Sequence, residues 1–135
     1  MDVLSLAANI QNTGRLDNPH GTARKVSKLC GSWVEVDVNI EGGMVSGFAI
    51  RLQACALGQA SCAILSENII GASKVEIETA RDALLDMLKN KGTSPKGRFA
   101  KLSLLADIAN YPARHTSTML AFDVAVEAVA ILGHS

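Results

Sequence analysis

The stretch VEVDVNIEGGMVSGFAIRLQ, residues 34–53, decides the fold class. Apolar Val and Ile residues alternate with acidic or amide residues over 34–40, and this period of two predicts a strand buried on one face. The Glu-Gly-Gly sequence at 41–43 predicts a hairpin turn. A second apolar run over 44–53 predicts the partner strand. Together they predict an antiparallel hairpin.

Outside this hairpin, we expect a short additional strand at 25–29, and helices before and after the strands. Helical spacing of apolar residues, with cap and breaker residues at the ends, predicts helices over 2–12, 57–70, 74–89, 99–108 and 117–132. Strands followed by helices predict an α+β class. The expected architecture is therefore one domain, 1–135, with a three-stranded antiparallel meander covered on one face by helices.

Composition excludes several classes of function. The chain has 135 residues, of which 48% are hydrophobic, and 13 basic residues balance 13 acidic ones. Without a basic excess, and with 4% aromatics, a nucleic-acid partner is not expected. No apolar run reaches the roughly 18 residues of a membrane span, and residues 1–10 lack the basic start of a secretory signal. We therefore expect a cytoplasmic protein without a membrane or nucleic-acid partner.

Two of the three cysteines lie where sulfur chemistry is plausible. Cys30 precedes Gly31 in a turn between predicted strands, and Cys55 follows the last strand at the start of a helix. Free backbone N–H groups and a helix N-terminus both stabilise thiolates. In a meander the two cysteines can meet at one edge of the sheet, which would form part of a metal site. The alternative for either residue is a buried small side chain.

The order of motifs resembles the U-type iron–sulfur cluster scaffolds: IscU, the N-terminal domain of NifU, and SufU. Cys30-Gly31 and Cys55, 25 positions later, are similar to the first two cysteines of that family. Further similar stretches are Asn12–Leu16, Gln59–Ala63, Tyr111–Arg114 and Met119–Phe122.

The resemblance implies a scaffold rather than an enzyme. It would bind iron, a nascent [2Fe-2S] cluster or zinc, or accept sulfur, on Cys30 and Cys55. Its implied partners are a cysteine desulfurase and recipient apo-proteins, and a homo-oligomer would be compatible with it.

The chain departs from the family pattern at two ligand positions. The aspartate after Cys-Gly is Ser32 here. Counting from Arg114 puts Ser117 at the position of the third cysteine, whereas a shift of one residue aligns His115-Thr116-Ser117 with the His-Cys-Ser of the ISC type. In both alignments a hydroxyl, a poor ligand for zinc or iron, replaces the thiol.

Other residues could complete or tune the site. His115 is the best candidate third ligand, because imidazole suits both zinc and iron; the alternative is a packed or solvated histidine at a helix start. Arg114 could stabilise nearby thiolates, or simply lie on the surface. Cys62, seven residues after Cys55, is expected to be a packed core residue.

Three hypotheses follow from these residues. The first is a scaffold or sulfur-handling protein using Cys30 and Cys55. The second is a divergent paralogue that acts as a partner-binding or regulatory module without a cluster. The third is a small thiol enzyme that transfers sulfur on one cysteine.

Overall fold

The computed structural model describes residues 3–28 and 31–131, and it has the expected α+β architecture. The described residues form three strands, four α-helices, a long 3₁₀ segment and a short 3₁₀ turn. They are α1 (Val3–Ala7), β1 (Gly21–Val26), β2 (Trp33–Glu41), β3 (Met44–Gln53), α2 (Ala56–Asn68), α3 (Lys74–Asn90), the 3₁₀ segment (Gly97–Asn110), a short turn (Pro112–Arg114) and α4 (His115–Ala130).

The sheet is an antiparallel meander in the order β1-β2-β3. Trp33 pairs with Val26 on one side and with Gln53 on the other, so the end of β1, the start of β2 and the end of β3 share one edge. The predicted β2–β3 hairpin is confirmed. Gly42 and Gly43 have φ of 59° and 79°, the left-handed values that a two-residue hairpin turn requires.

Two predictions near the N-terminus were wrong. The first strand begins at Gly21 rather than at residue 25, because the whole stretch 21–26 pairs with β2; residue 29 lies outside the described residues. The first helix ends at Ala7 rather than at residue 12. Asn9 bonds the Ser5 carbonyl, and Asn12 has a φ of 59°, after which the chain runs along the edge of β3.

The helices cover one face of the sheet, and the core lies between them and β2. Val34, Val36 and Val38 are fully buried there. The almost entirely apolar α4 packs on β1, β2, α2 and α3, as its composition predicted. No helix within residues 3–28 and 31–131 is long and apolar enough to cross a membrane.

Helix α3 begins as predicted, but its apolar face is narrower than expected. The Ser73 hydroxyl accepts from the Glu76 N–H and the Glu76 carboxylate accepts from the Ser73 N–H, a capping box. Helical spacing from Val75 to Leu88 places Val75 and Leu85 on the apolar face, but they are 69% and 37% exposed, while Met87 is buried. The buried stripe consists of Ile77, Ala80, Leu84, Met87 and Leu88.

The segment after α3 is helical, as predicted over 99–108, but it is a 3₁₀ helix and spans Gly97–Asn110. It turns at Phe99, whose φ and ψ are −101° and 22°. Arg98 anchors its start by donating to the carbonyls of Asn68, Ile70 and Gly71 at 3.0, 3.0 and 3.2 Å. The guanidinium thus satisfies carbonyls at the C-terminal end of α2, where a cation is favoured by the helix dipole.

A close approach between β1 and α4 gives a first prediction. A Cβ added at Gly21 would lie 2.6 Å from the carbonyl oxygen of Ala128, so one backbone must shift. We expect Gly21→Ala to lower the free energy of unfolding by about 2 kcal/mol, measured by urea denaturation. The control is Gly47→Ala in β3, where the new Cβ meets Asn39 at an ordinary 3.4 Å and little change is expected. Equal effects of the two changes would contradict the close approach.

Candidate metal-binding site

Cys55 lies at the corner where β3 passes into α2. It is the N-cap residue of α2, with extended backbone (φ −68°, ψ 170°), and the helix has no side-chain cap. The cysteine is half-buried and forms one wall of a shallow hollow of about 190 Å³. The hollow is lined by Gly31, Ser32, Gln53, Ala54 and Cys55.

Gly31 and Ser32, which precede β2, also line this hollow. The Ser27 N–H donates to the Ser32 carbonyl at 2.7 Å, and the Gly31 N–H donates to the Ser27 carbonyl at 2.9 Å. Cys30 falls in this connection but lies outside the described residues, so its meeting with Cys55 stays a prediction. The residues that follow it, Gly31 and Ser32, do line the same hollow as Cys55.

Ser117 lies beside the first turns of α2. A Cβ built on Gly58 would be 3.3 Å from the carbonyl oxygen of Ser117, and the Ser61 hydroxyl donates to the Thr118 carbonyl at 2.7 Å. Ser117 is buried, whereas Thr116 is exposed. Which of Ser117 and Thr116 corresponds to the family's third cysteine stays a prediction.

The other two predicted site residues lie at the start of α4, where His115 is the first residue and Arg114 is the N-cap residue. His115 is half-buried, and its Nε2 lies 3.0 Å from the Ile108 carbonyl oxygen. If Nε2 donates to this carbonyl, Nδ1 keeps the lone pair that a metal needs. Arg114 is exposed. Roles for His115 as a ligand and for Arg114 beside a thiolate stay predictions.

The described residues alone do not form a metal site. Across residues 3–28 and 31–131, no three His, Cys, Asp or Glu side chains are grouped so that they could hold an ion. Completion of a site by Cys30, which lies outside the described residues, or by a partner's ligand stays a prediction. A site with two thiols and a hydroxyl at the third position would have an incomplete, exchangeable shell.

Cys62 is a core residue, as predicted. It is fully buried among apolar side chains, and burial raises the pKa of its thiol to about 12. The thiol therefore stays protonated at neutral pH, and it cannot act as a thiolate ligand.

A buried ion-pair network on the open face of the sheet was not predicted from sequence. Arg51 donates to both carboxylate oxygens of Asp37 at 2.9 and 3.0 Å and to Glu35 at 2.7 Å. Burial alone would raise the pKa of Asp37, but hydrogen bonds from Arg51, the Leu16 N–H and the Thr22 hydroxyl lower it to about 2. The network links β1, β2 and β3 by hydrogen bonds to the loop that precedes β1.

Gly58 and Gln59 are two further residues whose role at the site sequence analysis missed. Gly58 lets α2 approach Ser117, and Gln59 bonds the backbone on both sides of Cys55. The sequence indicated these roles only weakly, by a glycine inside a predicted helix and by an amide side chain four residues after the cysteine at the start of that helix.

The fold and the corner cysteine define the class: a small α+β domain that presents a thiol at one edge of a three-stranded sheet. The family model for the NifU-like N-terminal domain matches residues 1–118. The chain therefore belongs to the NifU-like N-terminal domain family.

Individual relatives agree with this assignment. The iron–sulfur cluster assembly scaffold protein IscU of Thermotoga maritima is 27% identical over 127 residues, covering 94% of this chain and 89% of that protein. A crystal structure of a nitrogen-fixing NifU-like protein (N-terminal) from Brucella abortus is 41% identical, with a TM-score of 0.96, covering 98% of this chain and 92% of that one.

A more distant structure shares the fold alone. A protein described as a scaffold for the SUF system of Fervidobacterium islandicum is 20% identical with a TM-score of 0.86, covering 94% of this chain and 93% of that one.

Proposed function

We propose that this chain is an iron–sulfur cluster assembly scaffold that uses Cys55 and Cys30 as its thiol ligands. The observation that carries the proposal is the hollow in which Cys55 faces the residues that follow Cys30, in a chain of the NifU-like family. A curated relative that covers most of this chain is named as such a scaffold.

The chemistry follows from the donor set. Thiolates are the usual protein ligands of iron–sulfur clusters, and four are normally needed. This chain supplies two, because the third position carries the Ser117 hydroxyl, so the remaining ligands come from His115 or from another protein. A [2Fe-2S] cluster or iron would be cargo on such a site, and zinc would be an alternative occupant.

An open, incompletely ligated site suits transfer. The hollow is shallow and lies at the sheet edge, where a protein partner can reach Cys55. The partners we propose are a cysteine desulfurase that delivers sulfur and apo-proteins that receive the cluster, in the cytoplasm. A second copy of the chain, facing the first across its own hollow, would also supply the missing thiols.

Metal content tests the proposal directly. The chain is purified without oxygen and analysed for iron, zinc and sulfide before and after reconstitution. We expect near-stoichiometric metal in the unchanged chain and its loss in Cys30→Ala and in Cys55→Ala, because each variant leaves a single thiol at the site. Cys62→Ala is the matched control and should retain metal, since Cys62 is buried in the core.

The alternative function, a partner-binding module without a cluster, predicts the opposite result. A folded chain that binds no metal before or after reconstitution would overturn the scaffold proposal. A third outcome, no metal but rapid alkylation of Cys55 at neutral pH, would favour sulfur transfer on one thiol.

A further inference from the structure

The direction of the Cys55 side chain depends on the two peptide groups that flank its Cα. Strand β3 ends at Gln53 and α2 begins at Ala56, so the corner is only two residues long. The Cys55 side chain makes no capping bond to its own helix. The orientation of the thiol is therefore set by the backbone torsions of Cys55 and by its own χ1.

Gln59 holds both of these peptide groups. Its side-chain Nε2 donates to the Ala54 carbonyl at 2.9 Å, and its backbone N–H donates to the Cys55 carbonyl at 2.9 Å. The first carbonyl belongs to the peptide before the Cys55 Cα and the second to the peptide after it. The backbone bond is an ordinary i→i−4 bond of α2 that any residue at position 59 would make. The side-chain bond depends on glutamine and adds a restraint on the peptide before Cys55, and so on its φ.

The surroundings of Gln59 make this restraint effective. The residue is half-buried, which strengthens its hydrogen bonds relative to those of an exposed side chain. Its neighbour Gly58 packs so closely that an added Cβ would lie 3.0 Å from the Cβ of Ala54. The first turn of α2 therefore packs directly against the corner formed by Ala54 and Cys55, and the Gln59 side-chain amide binds the Ala54 carbonyl at this corner.

We propose that Gln59 is a positioning residue for Cys55. It holds the corner in one conformation, so that the thiol faces the hollow before any ligand arrives. This inference rests on the proposed function. A site that receives few ligands from its own chain gains most when each of those ligands is already held in the binding orientation. The restraint itself is a property of the free protein, and it can be measured without metal.

The test compares Gln59→Ala with Asn68→Ala. Asn68 makes the same kind of bond at the other end of α2, donating from its side-chain amide to the Ile64 carbonyl at 2.9 Å. Both variants lose one amide-to-carbonyl hydrogen bond on one helix, so similar decreases in melting temperature are expected. Only Gln59→Ala should alter the behaviour of Cys55.

The first readout is alkylation by iodoacetamide, with each cysteine followed by peptide mass spectrometry. We expect Cys55 to react about fivefold faster in Gln59→Ala, the factor that corresponds to loss of one typical hydrogen bond, because the released corner exposes the half-buried sulfur more often. Asn68→Ala should react at the unchanged rate. Buried Cys62 should remain unreactive in every variant, which verifies that the fold is intact.

The second readout is Co²⁺ binding, followed by the thiolate charge-transfer absorption. We expect Gln59→Ala to bind Co²⁺ about fivefold more weakly than the unchanged chain, and Asn68→Ala to bind as the unchanged chain does. Gln59→Met keeps the length of the side chain and removes the donor without adding a charge, and it should behave like Gln59→Ala if the alanine variant folds poorly.

The outcomes separate this inference from the scaffold proposal. Equal Cys55 labelling in Gln59→Ala, Gln59→Met and Asn68→Ala would overturn the positioning role and leave Gln59 as a helix-stabilising residue. Faster labelling together with no Co²⁺ binding by the unchanged chain would support the positioning role while the scaffold proposal failed.

Discussion

Replacing Arg51 by leucine is expected to lower the free energy of unfolding by about 4 kcal/mol at pH 7. The substitution removes the cation that binds both oxygens of Asp37, whose side chain is 5% exposed. An unpaired buried carboxylate typically costs about 3–5 kcal/mol. Arg51 also donates to the Gly14 carbonyl at 2.7 Å, so the N-terminal loop should loosen from the edge of β3 as well. Urea denaturation measures the change.

The control is Arg15→Ala. Arg15 also pairs with Glu35, at 3.7 Å, but its side chain is 72% exposed, and exposed pairs contribute about 0–1 kcal/mol. A loss in Arg51→Leu no larger than in Arg15→Ala would show that the buried network contributes nothing beyond an ordinary surface pair.

Acid titration gives this network a second signature. The pKa of Asp37 is lowered in the folded protein to about 2, from an ordinary value of 3.8. A depressed carboxyl pKa stabilises the fold above the unfolded value and loses that contribution as pH falls from about 4 to about 2. The loss should be about 2 kcal/mol in the unchanged chain, and it should be absent in Asp37→Asn. Parallel pH profiles for the two proteins would refute the assignment.

Replacing Ser117 by cysteine is expected to raise the affinity for Zn²⁺ by on the order of a hundredfold. The reason is that a thiolate replaces a hydroxyl, which is a poor ligand, beside the first turns of α2. Competition with a colourimetric zinc chelator measures the change. The gain should vanish in Ser117→Cys combined with Cys55→Ala, because the added thiol needs Cys55 as its neighbour.

Thiols added at adjacent positions distinguish the two alignments of the third ligand. Thr116→Cys places a new thiol one residue earlier, at an exposed position, and should leave the affinity unchanged. A gain in Thr116→Cys with none in Ser117→Cys would reverse the assignment. No gain in either variant would indicate that the site has lost the geometry for a third thiol, and would favour the module without a cluster.

Sequence patterns identified most of the fold because they are local. The period of two in residues 34–40, the glycine pair at 42 and 43, and Ser73 as the cap of the following helix each act over a few residues. The strand β1 was misplaced because its residues do not alternate clearly, and only pairing with β2 defines it. The sequence predicted a helix over 99–108 but not its 3₁₀ form, because Arg98, which anchors the segment, binds carbonyls about thirty residues away.

For the site, sequence alone determined which residue types are available: two candidate thiols, a hydroxyl where the family has a third, and the motif order that identifies the family. Tertiary structure decided what those residues contact. It put Ser117 rather than Thr116 beside α2, bound the His115 ring to Ile108, and closed the Cys55 corner with Gln59. These outcomes depend on helix crossings and strand register, which arise from packing between residues distant in sequence and so leave no periodic trace along the chain.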